Sequence, residues 1–167
     1  DSSYAHSCAV NGEGEVHCWG AQDGDSSPEN VYGQTDAPEE SGYVRVSAGF
    51  THSCGLLIDG SLECWGNDTD GEVSDVPSGV FHELVSGLSH SCAIDADDEI
   101  QCWGHENGVE DTPAGGFSKL SAMRYGSCAI ALDGSLHCWG VNQQGELVTD
   151  GDGDGDDKFA DCDDTDA

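Results

Sequence analysis

The sequence predicts an all-β array of four disulfide-stapled hairpin repeats, and three observations carry that prediction. One segment occurs four times, at Cys8 to Gly20, Cys54 to Gly66, Cys92 to Gly104 and Cys128 to Gly140, each time as Cys, nine residues, then Cys-Trp-Gly. Eight of the nine cysteines and all four tryptophans belong to this segment. The first cysteines of successive copies lie 46, 38 and 36 residues apart, a period in the range of propeller blades and other repeat architectures. Within a copy, short apolar runs flank a turn signal.

The hairpin comes first. In the second copy the runs Cys54 to Ile58 and Ser61 to Trp65 flank Asp59-Gly60, and Asp133-Gly134 repeats that turn in the fourth. A glycine in the left-handed conformation absorbs one bulge residue and brings Cys54 opposite Cys64. Directly opposed residues have the Cβ separation a disulfide needs. The expected bridges are therefore local: Cys8 with Cys18, Cys54 with Cys64, Cys92 with Cys102, and Cys128 with Cys138. Closing so short a loop stabilises by roughly 2.5–3 kcal/mol on the chain-entropy model. The chain needs such staples, because at 36% hydrophobic residues and 24 glycines it buries little apolar surface per repeat. Zinc is the competing use of these cysteines, and the absence of close-spaced Cys pairs disfavours it. Lasting disulfides imply an oxidising compartment, hence a secreted or cell-surface protein. No signal peptide and no apolar run of membrane length is visible, so no membrane insertion is expected, and either a leader was removed before Asp1 or the export route is not legible in the sequence.

A further strand enters each later hairpin, at Gly42 to Gly49, Gly79 to Gly87 and Gly116 to Ala122, each after a turn at Pro38, Pro77 or Pro113. His6, His52 and His90 each stand two residues before a cysteine, and Gly126 takes that place in the fourth copy. Their recurrence favours a structural hydrogen bond over a ligand or catalytic role.

These motifs carry a resemblance. His-Ser-Cys, the Asp-Gly turn, Cys-Trp-Gly and the Gly-Glu-Val or Gly-Glu-Leu that follows, as at Gly71-Glu72-Val73 and Gly145-Glu146-Leu147, stand at corresponding places over residues 1–148. They are similar to the regulator-of-chromosome-condensation repeat, in the cysteine-bearing form met in secreted bacterial proteins. The resemblance implies a β-propeller of four-stranded blades, with repeats at about residues 1–41, 42–78, 79–115 and 116–148. The family's usual ring has seven blades, whereas this chain supplies four hairpins. The opening residues Asp1 to His6 align with Ser47 to His52, so the first repeat lacks its leading strand. That edge is expected to be covered by a ring closed within the chain, by a partner or adjacent copy, or by further parts of a longer parent. A head-to-tail contact that does not close generates a filament.

Residues 149–167 form a separate Asp-rich segment. Asp150, Asp152, Asp154, Gly155 and Asp161 fit the calcium-loop pattern, in which alternate carboxylates reach one ion, glycine permits the turn and a twelfth-position acid closes the shell. Asp156 would add its backbone carbonyl, and Asp161, Asp163, Asp164 and Asp166 could hold a second ion. The segment resembles the calcium runs of thrombospondin type 3 and dockerin-like repeats. Hard carboxylate oxygens favour calcium over copper or zinc. Cys162 is left over, as an intermolecular bridge, a link to a missing segment, or a free thiol.

The net charge is −30, from 34 acids and four bases. So acidic a surface excludes a nucleic-acid partner, since phosphate binding needs basic patches. It also repels copies of itself, so self-association is expected to need calcium or salt. No catalytic motif is present; adjacent acids such as Glu39-Glu40 and Asp97-Asp98 read as solvated, and the Asn67-Asp68-Thr69 sequon reads as chance. The sequence thus points to a non-enzymatic, secreted, calcium-binding structural or adhesive repeat protein that self-associates, in one form as an extracellular fibre. The alternatives are a monomeric module binding a protein or glycan, and an accessory domain of a secreted enzyme.

Overall fold

The computed structural model describes residues 6–20, 32–109 and 111–140. Four small antiparallel sheets follow one another along the chain. The first pairs β1 (His6–Val10) with β2 (Val16–Gly20). The second is β3 (Tyr43–Ala48), β4 (His52–Leu57) and β5 (Leu62–Gly66), and the third is β6 (Phe81–Ser86), β7 (His90–Asp95) and β8 (Ile100–Gly104). A one-turn helix, α1 (Glu106–Val109), precedes the fourth, β9 (Phe117–Ala122), β10 (Gly126–Ala131) and β11 (Leu136–Gly140). Each sheet is a blade in a propeller-like, all-β array. Where the resemblance implied four strands per blade, the described residues form three in blades 2 to 4 and two in blade 1. The segments that follow the hairpins run as turns over residues 71–75 and as α1, so no outer fourth strand forms there.

The hairpin turns account for the register. In blade 2 the Leu57 amide bonds the Ser61 carbonyl and the Gly60 amide bonds the Leu57 carbonyl, with Gly60 at φ 87°. That left-handed residue absorbs the bulge and sets Cys54 opposite Cys64. In blade 3 the same place is held by Asp98 at φ 64°, a conformation that aspartate tolerates better than most side chains. The turn also welds blades together: the carbonyls of Gly14, Gly60 and Asp98 accept the amides of Tyr43, Phe81 and Phe117, the first residues of the next leading strands.

Side chains alternate across each hairpin, so every blade has two faces. One face carries the cysteine pair and points toward the next blade; the other carries the Trp of Cys-Trp-Gly and points toward the preceding one. Cys8 and Val16 of blade 1 pack with Tyr43, Val46 and Trp65 of blade 2. Cys54, Leu56 and Cys64 pack with Phe81, Leu84 and Trp103 of blade 3. Cys92 and Ile94 pack with Phe117, Ala129 and Trp139 of blade 4. The core is therefore not inside the blades but between them, as expected of repeats too thin to bury a face alone.

Candidate functional site

The cysteines named above are bonded Cys8–Cys18, Cys54–Cys64, Cys92–Cys102 and Cys128–Cys138, with Cα separations of 4.0–4.1 Å. They hold the closely spaced position of an antiparallel ladder, where facing Cα atoms approach to about 4.5 Å. The carboxylates read from the sequence as metal ligands, Asp150, Asp152, Asp154, Asp156, Asp161, Asp163, Asp164 and Asp166, lie outside the described residues, as does Cys162. Among the described residues no cluster of three or more His, Cys, Asp or Glu side chains is placed to hold a metal ion.

The recurring histidines hold neighbouring blades together. Nε2 of His6 lies 2.6 Å from Ser53 Oγ, that of His52 2.9 Å from Ser91 Oγ, and that of His90 2.9 Å from Ser127 Oγ. Each bond runs from the His of one blade to the Ser of the next blade's His-Ser-Cys or Gly-Ser-Cys. The Ser91 hydroxyl is committed as a donor to Ser86 Oγ, so His52 must donate from Nε2, which leaves its buried Nδ1 lone pair with no partner among the described residues. A proton added at Nδ1 would create a buried N–H with no acceptor. Burial accordingly holds His52 down at about 3, reinforced by repulsion from His90 and His6, and holds His90 at about 4 despite a backbone bond at Gly126. His6 is lowered by burial as well.

A Cβ at Gly49 would lie 2.4 Å from Cε1 of His52, and one at Gly87 2.3 Å from Cε1 of His90. The glycine three residues before the histidine makes room for the ring. In the fourth copy Gly126 replaces the histidine and Met123 stands where that glycine would be, an exchange of volume across one contact. Ser3 holds the place in the first copy, outside the described residues.

The tryptophans form a second latch. Trp65 Nε1 donates to the Gln34 carbonyl and Trp103 Nε1 to the Glu72 carbonyl, each at 3.0 Å. The side chains of Gln34 and Glu72 are fully buried and fold back onto their own loops, accepting the amides of Tyr32 and Asp70. This explains Gly33-Gln34 and Gly71-Glu72 after the first two hairpins: the Gln or Glu shapes a loop whose carbonyl receives the next indole, whereas Gly108-Val109 follows the third. Trp139 Nε1 is buried without a partner among the described residues, in the blade that α1 rather than such a loop precedes.

Leading strands β3, β6 and β9 run side by side and carry Arg45, Glu83 and Lys119. The largely buried Glu83 carboxylate accepts from Arg45 and lies 3.8 Å from Lys119 Nζ, so one acid ties three blades.

The terminal faces differ from all of this. The rear of blade 1 carries Ala9, His17 and Trp19, with Trp19 54% exposed, whereas Trp65, Trp103 and Trp139 are 8%, 4% and 3% exposed. The front of blade 4 carries Cys128–Cys138, Ile130 and Leu136, with Ile130 at 42% and Leu136 at 57%; the counterparts of Ile130 in blades 2 and 3, Leu56 and Ile94, are at 4% and 0%. These two faces are the candidate site. Sequence reasoning found the cysteines, the hairpins and the histidines, but not the direction in which each face points or the role of the serines. The recurrence of Ser7, Ser53, Ser91 and Ser127 was the available signal.

Residues 43–72 match the family model of the Regulator of chromosome condensation (RCC1) repeat. No curated protein matches the chain. Among solved structures it is similar to the CRINKLY WD40 ectodomain of the Arabidopsis thaliana receptor kinase ACR4, at 28% identity and a TM-score of 0.67 over 84% of this chain and 48% of that one. The entire ectodomain of the Physcomitrella patens receptor kinase CR4 aligns at 25% identity and a TM-score of 0.65, over 81% of this chain and 39% of that one. Yeast RCC1 (Prp20), in a structure with Kap60, aligns at 16% identity and a TM-score of 0.63, over 83% and 42%, and speaks to the fold alone. The chain spans less than half the length of these structures.

Proposed function

We propose that this chain is a secreted, non-enzymatic protein-interaction module, a structural or adhesive element of the cell surface that meets its partners through the exposed blade faces of Trp19 and Leu136. The observation that carries the reading is the exposure of Trp19 at a position buried in every other blade. An exposed indole rimmed by polar groups is a characteristic anchor of protein interfaces. The compartment is supported by four disulfides, which persist outside a reducing cytosol, and by the likeness to two receptor ectodomains.

Calcium is the second part of the reading and rests on the spacing of Asp150, Asp152, Asp154 and Asp161. Binding there would neutralise part of the charge that repels partners. Calorimetric titration of the full chain is expected to show calcium uptake, weakened at least about tenfold by Asp152→Asn. Equal heats from both proteins would remove calcium from the proposal.

The interaction reading is tested by photocross-linking residues introduced at positions 19, 136 and, as a control on an exposed hairpin tip, 135. Discrete protein adducts are expected at 19 and 136 and not at 135 in cultures secreting the chain. No adduct at either face would overturn the reading.

A further inference from the structure

We infer that the hairpin-turn edge of blades 2 and 3 is a docking ledge for a basic, aliphatic segment of another protein, a surface apart from the faces of Trp19 and Leu136. Three large aliphatic side chains stand exposed there: Val44 at 55%, Ile58 at 81% and Val80 at 58%. Val44 is the bulged residue of β3, skipped between the pairs Tyr43–Leu57 and Arg45–Leu56, and a bulge re-aims the side chain it carries. Ile58 opens the turn between β4 and β5, and Val80 lies over that turn, where a Cβ on Gly60 would come within 2.6 Å of its Cγ1. The backbone beneath is fixed. Amides of Tyr43, Ile58, Phe81 and Ala96 donate to the carbonyls of Gly14, Gly42, Gly60 and Val80, one row of bonds running from blade 1 to blade 3. Apolar groups held out on a rigid support dock with little ordering cost.

This exposure belongs to the middle of the array. Blade 2 packs between blades 1 and 3, and blade 3 between blades 2 and 4. The strands β2 and β11 run away from the turn edge and end at Gly20 and Gly140, opposite His6 and Gly126. Charge names the occupant. Glu39, Glu40, Asp59, Asp97 and Glu99 are exposed along the same edge, and no Lys or Arg occurs at 39–44, 58–61, 79–82 or 95–99. Arg45 and Lys119, close by on the leading strands, are turned onto Glu83. The other two bases of the sequence are Arg124, in the turn between β9 and β10 at the opposite edge, and Lys158, within the Asp-rich segment. No stretch of these 167 residues therefore supplies the counter-charge, and a second copy, at net charge −30, is repelled. A foreign segment that sets Lys or Arg between aliphatic side chains satisfies both the acids and the exposed apolar groups.

The test is fluorescence anisotropy of short labelled peptides on the full chain, one alternating Lys with Val and one alternating Lys with Ser. At about 0.15 M salt the Debye length is about 8 Å, so only carboxylates near the bound peptide act strongly. The Lys-Val peptide is expected to bind at least about tenfold more tightly than the Lys-Ser peptide. In the double variant Val44→Thr, Ile58→Ser that gap is expected to close. In Glu40→Gln, Asp97→Asn both peptides are expected to weaken by about threefold or more, with the gap kept. All four positions are exposed, so both variants are expected to keep the melting temperature of the unsubstituted chain. Equal affinity for the two peptides would reduce the contact to general charge attraction and overturn the inference. A gap that survives Val44→Thr, Ile58→Ser would overturn it too, by placing the apolar contact elsewhere, as would unchanged binding by Glu40→Gln, Asp97→Asn. None of these outcomes bears on adducts at positions 19 and 136, so the two surfaces stand or fall separately.

Discussion

Blade 3 and blade 4 carry nearly the same hairpin, yet Ile94 is fully buried in one and its counterpart Ile130 is 42% exposed in the other. The same holds for Trp103 at 4% and Trp19 at 54%. The motif specifies which face a side chain takes; the neighbouring blade decides whether that face is core or surface. A residue's contribution in such an array belongs to a pair of repeats and not to the repeat that encodes it, as expected when stability is a sum of unit and nearest-neighbour contributions.

The largest effect should come from breaking one internal contact. Trp103 packs with Cys54, Phe81 and Leu84 and donates to the Glu72 carbonyl. Trp103→Ala is expected to cost about 3–5 kcal/mol, from lost burial, a cavity and an orphaned carbonyl. Trp19→Ala, the same substitution at the open face, is expected to change stability by less than about 0.5 kcal/mol. Urea denaturation of the two variants compares them directly, and similar midpoints would refute the distinction between internal and terminal faces.

Much of this was legible beforehand because it is local. Cysteine spacing and the Asp-Gly turn determined hairpin, register and bridge together, since a three-residue loop leaves few alternatives. The leading strands were legible from their apolar runs and flanking prolines. What lay between blades was not. Nothing in Trp19 or Trp65 taken alone says that one is a buried latch and the other an exposed anchor, because the deciding carbonyl of Gln34 sits on a different repeat, 31 residues from Trp65. The outer strand is missing after the second hairpin for a related reason: Gly71-Glu72 spends its polar groups on a tight loop that receives an indole. The serines of the His-Ser ladder escaped notice because serine is common on strand surfaces, and only the partner three dozen or more residues away gives it a role.

Disulfides sharpen the same comparison at a smaller scale. Cys92–Cys102 and Cys128–Cys138 close loops of equal length, each with a sequence separation of 10, so the chain-entropy contribution of about 2.5–3 kcal/mol is common to both. Only the first packs in a core cluster, with Phe117 and Trp139. Replacing both cysteines by serine is expected to cost about 1–2 kcal/mol more in blade 3 than in blade 4, since two hydroxyls then enter an apolar cluster. Equal losses, measured by the same denaturation, would mean that the staple acts on the unfolded chain alone.

The histidine ladder gives the smallest effect per residue and the one most specific in its sign. His52 and His90, at about 3 and 4 in the folded chain, return to about 6.5 when it unfolds. Between those limits the unfolded state binds protons that the folded state refuses, so stability is complete above about pH 6.5, falls as the pH drops, and stops falling on their account below about pH 3. At pH 5 the loss is roughly 2 kcal/mol for each of the two. His52→Gln can still donate toward Ser91 but cannot take up a proton, so its stability should depend on pH less steeply by about one proton through this window. A His52→Gln profile parallel to the unsubstituted one would show that acid acts elsewhere, on the turn carboxylates of Asp59, Asp68 and Asp133, whose hydrogen bonds from Ser61, Ser74 and Ser135 lower their affinity for protons, so that stability is lost only as the pH falls through the carboxylate range.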